Sequence, residues 1–123
     1  MKRLLFLFCL LSLLLTGCSL KKKPVTLSPD CHISATEILK ITDDYLDGDI
    51  TAVIAAGQIR DLCFTLNGIY NEPGSMNPVV TNYCEILSYN LTQITEGEQT
   101  DNTELLNTRN ILADLLGQNK RTK

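Results

Sequence analysis

The sequence predicts an all-α protein, a small antiparallel three- or four-helix bundle behind a flexible tether. Three observations lead there. Apolar residues recur at three- and four-residue spacing in four segments of roughly 13 to 20 residues. Gly, Pro and Asn punctuate short connections between these segments, as antiparallel neighbours need. Strand-like alternation never holds for more than a few residues.

Ser34 and Glu37 have the spacing of a capping box, and Ile33 with Ile38 that of a hydrophobic staple, so the first helix is expected to open at Ser34. Ile38, Ile41, Thr42 and Tyr45 continue it, and Leu46 precedes Asp47-Gly48, where Gly48 ends it. Asp49 is the expected cap of a second helix carrying Ala52, Ala56, Ile59, Leu62, Cys63, Leu66 and Tyr70 on one stripe. Gly57 interrupts that helix at a cost of about 1 kcal/mol relative to Ala, and either admits a close neighbour or weakens the middle. The helix is expected to end near Gly68.

Asn77-Pro78 reads as a restart, with Asn as cap and Pro in the first turn. Val80, Tyr83, Cys84, Leu87, Leu91 and Ile94 line its face until Gly97. Asp101 with Glu104 caps a fourth helix, whose stripe of Leu105, Leu112, Leu115 and Leu116 is broken by Thr108 and Arg109.

A formal charge of −3 over 123 residues conceals an asymmetry. Between Cys31 and Asn119 thirteen acids face three bases (Lys40, Arg60 and Arg109), so the body carries −10. Positive charge sits at the margins, in Lys21-Lys22-Lys23 and in Lys120, Arg121 and Lys123. A polyanionic body argues against nucleic acid as a partner, because that binding runs on phosphate neutralisation.

The start of the chain carries an address. Lys2 and Arg3 precede an apolar run from Leu4 to Leu15 broken only by Ser12, and small residues follow. This is the layout of a secretory signal, and the run is too short to span a bilayer, which takes roughly 20 residues. Leu15-Thr16-Gly17-Cys18 resembles the bacterial lipobox: an aliphatic residue, two small ones, then Cys. The alternatives are an ordinary signal peptide and an uncleaved anchor.

The resemblance implies cleavage between Gly17 and Cys18 by signal peptidase II, a diacylglyceryl group on the Cys18 thiol, and attachment to a membrane through acyl chains. Ser19 stands where an Asp would mark inner-membrane retention in enteric bacteria. By the same resemblance, the protein is expected at the outer membrane, facing the periplasm.

The expected organisation is a signal peptide over residues 1–17, a lipidated Lys/Pro-rich tether over 18–30, a helical domain over 31–119 and a basic tail over 120–123. The tether from Ser19 to Asp30 reaches about 40 Å at roughly 3.3 Å per residue. Lysines beside the acyl chains can also contact anionic headgroups, at about 1 kcal/mol each.

If Cys9 leaves with the signal and Cys18 carries lipid, then Cys31, Cys63 and Cys84 remain in an oxidising compartment, where bridges persist. Three thiols allow one internal bridge at most. Cys63–Cys84 is the first choice, since a helical hairpin around Pro73 brings both to similar heights. Cys31 with either of the others stays open, as does the reading of these residues as small buried hydrophobes.

Little points to catalysis. His32 is the single histidine, and beside Cys31 it lacks zinc-ligand spacing. No serine elbow, phosphate loop or base beside a cysteine is present, so no cofactor and no metal are expected. Asp43, Asp44, Asp47 and Asp49 crowd the first turn without the alternation of a calcium loop.

Tyr89 departs from its helix's stripe and is a possible recognition anchor, whereas Tyr45, Tyr70 and Tyr83 read as core. With Tyr89, the acids Asp43, Asp44 and Asp47 are the candidate contacts for a protein partner. In size, lipobox and helical content the chain resembles the pilotins, small lipoproteins that escort secretins, although no binding residue carries over. That resemblance implies a non-catalytic module serving an envelope component. An immunity or exclusion lipoprotein, using its acidic body against a basic toxin, phage or conjugation component, is the alternative expectation.

Overall fold

The computed structural model describes residues 26–68 and 75–123, which form four α-helices and, among the described residues, no strand. The expected bundle is therefore present. Its helices are α1 (Pro29–Leu46), α2 (Ala52–Asn67), α3 (Asn77–Glu96) and α4 (Thr103–Leu115). Gly17, Cys18 and Tyr70 lie outside the described residues.

Helix α1 begins earlier than its internal capping box suggests. The Ser28 hydroxyl accepts from the Cys31 N–H, Pro29 occupies the first turn and Asp30 adds an acid there. All three favour a helix start, because the first turn has unpaired N–H groups and a partial positive charge. Ser34 is consequently inside the helix, and Cys31 is a buried first-turn residue. Leu27 packs against the core, so the last residues assigned to the tether belong to the fold.

A long-range contact fixes this start. Ser28 N–H donates to Asn77 Oδ1 (3.0 Å), and Asn77 Nδ2 donates back to Ser28 Oγ (3.0 Å). Met76 N–H adds a bond to the Thr26 carbonyl at 3.1 Å. Asn77 is thus not a helix cap. It is fully buried, and its side chain joins the start of α1 to the start of α3.

The other boundaries follow local chemistry. Thr51, rather than Asp49, caps α2 by accepting from Ile54 N–H. Gly57 meets no neighbouring atom within 4 Å of where a Cβ would stand, so it permits no close helix approach. Helix α3 ends on Gly97 at φ 76°, in the left-handed region that glycine enters without steric cost. Asp101 accepts from Thr103 N–H at 2.9 Å and starts α4 as its sequence suggests.

The core is built from the stripes. Ala35 and Ile38 of α1, Ala55 and Ile59 of α2, Val80, Leu87 and Leu91 of α3, and Leu105 and Leu112 of α4 are all fully buried. Helix α2 packs most extensively on α3, and α4 packs on α3 and, less, on α1. Helices α2 and α4 therefore occupy opposite sides of the bundle. After α4 the chain turns at Gly117 (φ 70°) and runs back along that helix. Arg121 N–H donates to Asn110 Oδ1 (2.8 Å), while Asn110 Nδ2 donates to the Arg121 carbonyl (2.7 Å). The basic tail is docked on the fold.

Candidate partner-binding surface

The acids nominated for a partner turn out to be engaged within the bundle. Asp43 takes a two-pronged bond from Arg109, with Nε to Oδ1 and Nη2 to Oδ2 both at 2.9 Å. Arg121 Nη1 lies 3.4 Å from the same Asp43 Oδ1, and its Nη2 donates to Asp47 Oδ1 at 2.6 Å. That bond holds the Asp47 carboxyl below the usual carboxylate range and raises Arg121 correspondingly. Asp44 pairs with Lys40 at 2.9 Å, one helical turn away. Asp43, Asp44 and Asp47 thus hold the α1 end, α4 and the tail together, which accounts for their crowding without a partner.

Thr108 and Arg109, which break the apolar stripe of α4, prove to be buried and bonded. Asn90 Nδ2 donates to Thr108 Oγ1 across the α3–α4 contact at 3.3 Å. Arg109 is only 5% exposed and also donates from Nη1 to the Asn119 carbonyl at 2.5 Å. A buried guanidinium is tolerable only when its donors are taken up this way.

Exposed apolar surface gathers on α2, the helix farthest from α4. Phe64 is 84% exposed, the most exposed of the large hydrophobic residues described, and Val53 and Ile54 are exposed as well. Val53, Arg60 and Phe64 follow at helical spacing, so they share a line along the outer face. This line borders a shallow groove of about 220 Å³ between α2 and α3, lined by Arg60, Cys63, Phe64, Asn67, Glu85 and Ser88.

Tyr89, 61% exposed, adjoins Ser88 and stands one turn beyond Glu85, on the α3 side of that groove. On the other flank of α2 a wider groove of about 460 Å³ is lined by Glu37, Lys40, Asp44 and Asp61 among others. One helix therefore presents aromatic surface between two clefts that carry acidic side chains.

The sequence reading selected Tyr89 and overlooked Phe64. The signal was available: Phe64 falls beside, not on, the stripe of Ala56, Ile59, Cys63 and Leu66, and a large aromatic off the stripe must face outward. Tyr45 and Tyr83 are partly buried against the core, and the Tyr45 hydroxyl donates to Asn102 Oδ1 at 2.9 Å.

Cys31, Cys63 and Cys84 are buried free thiols in the same core cluster. The expected internal bridge is not formed in this structure. Burial raises all three. Cys63 is pushed up to about 11 by burial and then by Glu85. Cys84 is pushed further, by burial first and then by the neighbouring Cys63 and Cys31 thiols and Glu85. Burial also raises Cys31, against the adjacent Thr81 hydroxyl. Protonated and enclosed, these thiols are weak nucleophiles at neutral pH.

Among the described residues no cluster of His, Cys, Asp or Glu is arranged to hold a metal ion, and no helix is long and apolar enough to cross a membrane. No known family model matches the chain, and no curated protein or solved structure is significantly similar to it.

Proposed function

We propose that this protein is a lipid-anchored, non-catalytic protein-binding module of a bacterial envelope. Acyl chains on Cys18 hold it at the outer membrane, on the periplasmic side, and the outer face of α2 grips an envelope protein. The observation that carries the binding reading is Phe64, an aromatic ring 84% exposed beside a groove, with Tyr89 on the far side. Aromatic side chains are favoured anchors of protein interfaces because each buries a large rigid area at small entropic cost.

The occupant that fits is an amphipathic segment with basic flanks. Its apolar side chains would cover Phe64 and Tyr89, and its cations would face Asp61 and Glu85. A pilotin-like role, escorting or assembling a secretion or pilus component, requires this kind of capture.

Co-purification from detergent-solubilised envelopes tests the proposal, comparing the native chain with Phe64→Ala. A secretion or pilus subunit retained by the native chain and lost from the variant supports the reading. Equal recovery of partners by both removes the α2 face from it.

The net charge of −10 between Cys31 and Asn119 favours one second reading, an immunity or exclusion lipoprotein directed at a basic toxin or an incoming phage or conjugation component. Recovery of such a component in the same experiment selects it. Anchoring is tested separately: Cys18→Ser should leave an unprocessed precursor without a radiolabelled palmitate tag, and normal maturation of that variant contradicts lipidation.

A further inference from the structure

Cys84 is placed differently from the other two cysteines. It lies on α3, the helix that packs against all three others, and is fully enclosed. On one side, Cys63 of α2 lines the groove together with Glu85 and Ser88, sequence neighbours of Cys84. The α2–α3 contact is also the most extensive in the fold. On the other side, the reciprocal Ser28–Asn77 bonds bring the first turn of α1 against the first turns of α3. Cys31 sits in that turn, beside Thr81, which lies just short of a turn before Cys84.

We propose that Cys84 is the common partner of two mutually exclusive disulfides, Cys63–Cys84 and Cys31–Cys84, and that the bundle can exchange one for the other. The thiol environments agree with this placement. Cys84 responds to both Cys63 and Cys31, whereas the rise at Cys63 traces to burial and Glu85. The three thiols are not arranged to share a metal ion, which leaves sulfur–sulfur chemistry as their common reaction.

Each step balances. A small-molecule disulfide such as oxidised glutathione takes one protein thiolate into a mixed disulfide, releasing one reduced glutathione. The second protein thiolate then attacks the protein sulfur of that mixed disulfide and releases another. Two protein thiols are oxidised to one bridge, and one glutathione disulfide is reduced to two thiols. Exchange needs no further oxidant. The Cys31 thiolate attacks Sγ of Cys84, the Cys63–Cys84 bond breaks, and the Cys63 sulfur leaves and takes up a proton. In one state a disulfide underlies the groove beside Phe64. In the other, a thiol does.

Disulfide mapping tests this. The full chain in detergent is equilibrated with excess oxidised glutathione, alkylated and digested without reduction. The native chain, Cys31→Ser, Cys63→Ser and Cys84→Ser are compared by mass spectrometry, and circular dichroism verifies that each retains helix. A Cys63–Cys84 peptide in the native chain and in Cys31→Ser, together with a Cys31–Cys84 peptide in Cys63→Ser, is expected. Cys84→Ser should give no bridge between Cys31 and Cys63. A Cys31–Cys63 peptide in any sample overturns the proposal, as does absence of the Cys31–Cys84 peptide from Cys63→Ser. If Cys84→Ser does not fold, Cys84→Ala and the native chain answer the same question.

Discussion

Asp43 and Arg109, 66 residues apart, face each other as a two-pronged ion pair, with both N···O distances 2.9 Å. One carboxylate thereby joins the last turns of α1 to the middle of α4, and through Arg121 it also holds the returning tail. Neither partner announces this locally. Asp43 belongs to a run of acids, and Arg109 looks like a fault in an apolar stripe.

Removing one side of this pair should be costly. In Arg109→Leu, Asp43 loses both prongs and the Asn119 carbonyl loses its donor, while the new side chain offers no replacement. Breaking a largely buried pair costs about 3 kcal/mol, and the part of Asp43 that reaches water lowers this toward 2 kcal/mol. Urea unfolding followed by circular dichroism should show the loss as a lower midpoint with an unchanged slope. Arg121→Ala should lose less than 1 kcal/mol, since its pairs are more exposed.

Asn77→Ala should destabilise the fold by about 1 to 3 kcal/mol, because it leaves the Ser28 N–H and hydroxyl without their partner at a partly buried site. The damage should be local. Hydrogen exchange is expected to speed up most in the first turn of α1, around Cys31, while α4 keeps its protection. Uniform loss of protection along the chain would show that this contact is not what fixes the α1 start.

That start illustrates where local signals fall short. Ser34-x-x-Glu37 and Ser28-Pro29-Asp30 are both good openings, and the sequence ranks neither. The bond to Asn77, 49 residues away, decides between them, and Leu27 adds core contact. The apolar stripes, by contrast, were legible because their periodicity is local and nearly complete in each helix. Gly48, Gly97 and Gly117 were legible as stops for a similar reason: each adopts positive φ, which other residues rarely do. The acids of the first turn were visible as a cluster, but their engagement depends on Arg109 and Arg121, whose positions only the folded chain sets. On the candidate face, Tyr89 was legible as a residue off its stripe, and Phe64 carried the same signal.

Alkaline pH should weaken the fold through the buried thiols. Cys63 has an ordinary value of 9.0 and is pushed up to about 11 in the folded chain. The folded state therefore keeps a proton that the unfolded state gives up. Its contribution is fully present below pH 9.0 and is lost as pH rises to about 11. The loss should be on the order of 2 kcal/mol, with Cys84 adding to it in the same direction. Denaturation midpoints from pH 8 to about 11 check this, and Cys63→Ala should flatten the decline.

Phe64→Ala should leave stability nearly unchanged, within about 0.5 kcal/mol, because the ring contributes little to the core. Partner affinity should fall by at least tenfold, about 1.4 kcal/mol or more, if the ring is an interface anchor. Thermal unfolding and a binding titration on the same sample separate the two effects.

The most direct test of the account is site-specific photo-crosslinking in living cells, with the reactive side chain at position 64 and, as a control, at position 111. Ile111 is also exposed but lies on α4, across the bundle from α2. A discrete adduct with an envelope protein from position 64, weak or absent from position 111, is the predicted result. No adduct at either position, or equal adducts at both, would contradict a gripping face on α2.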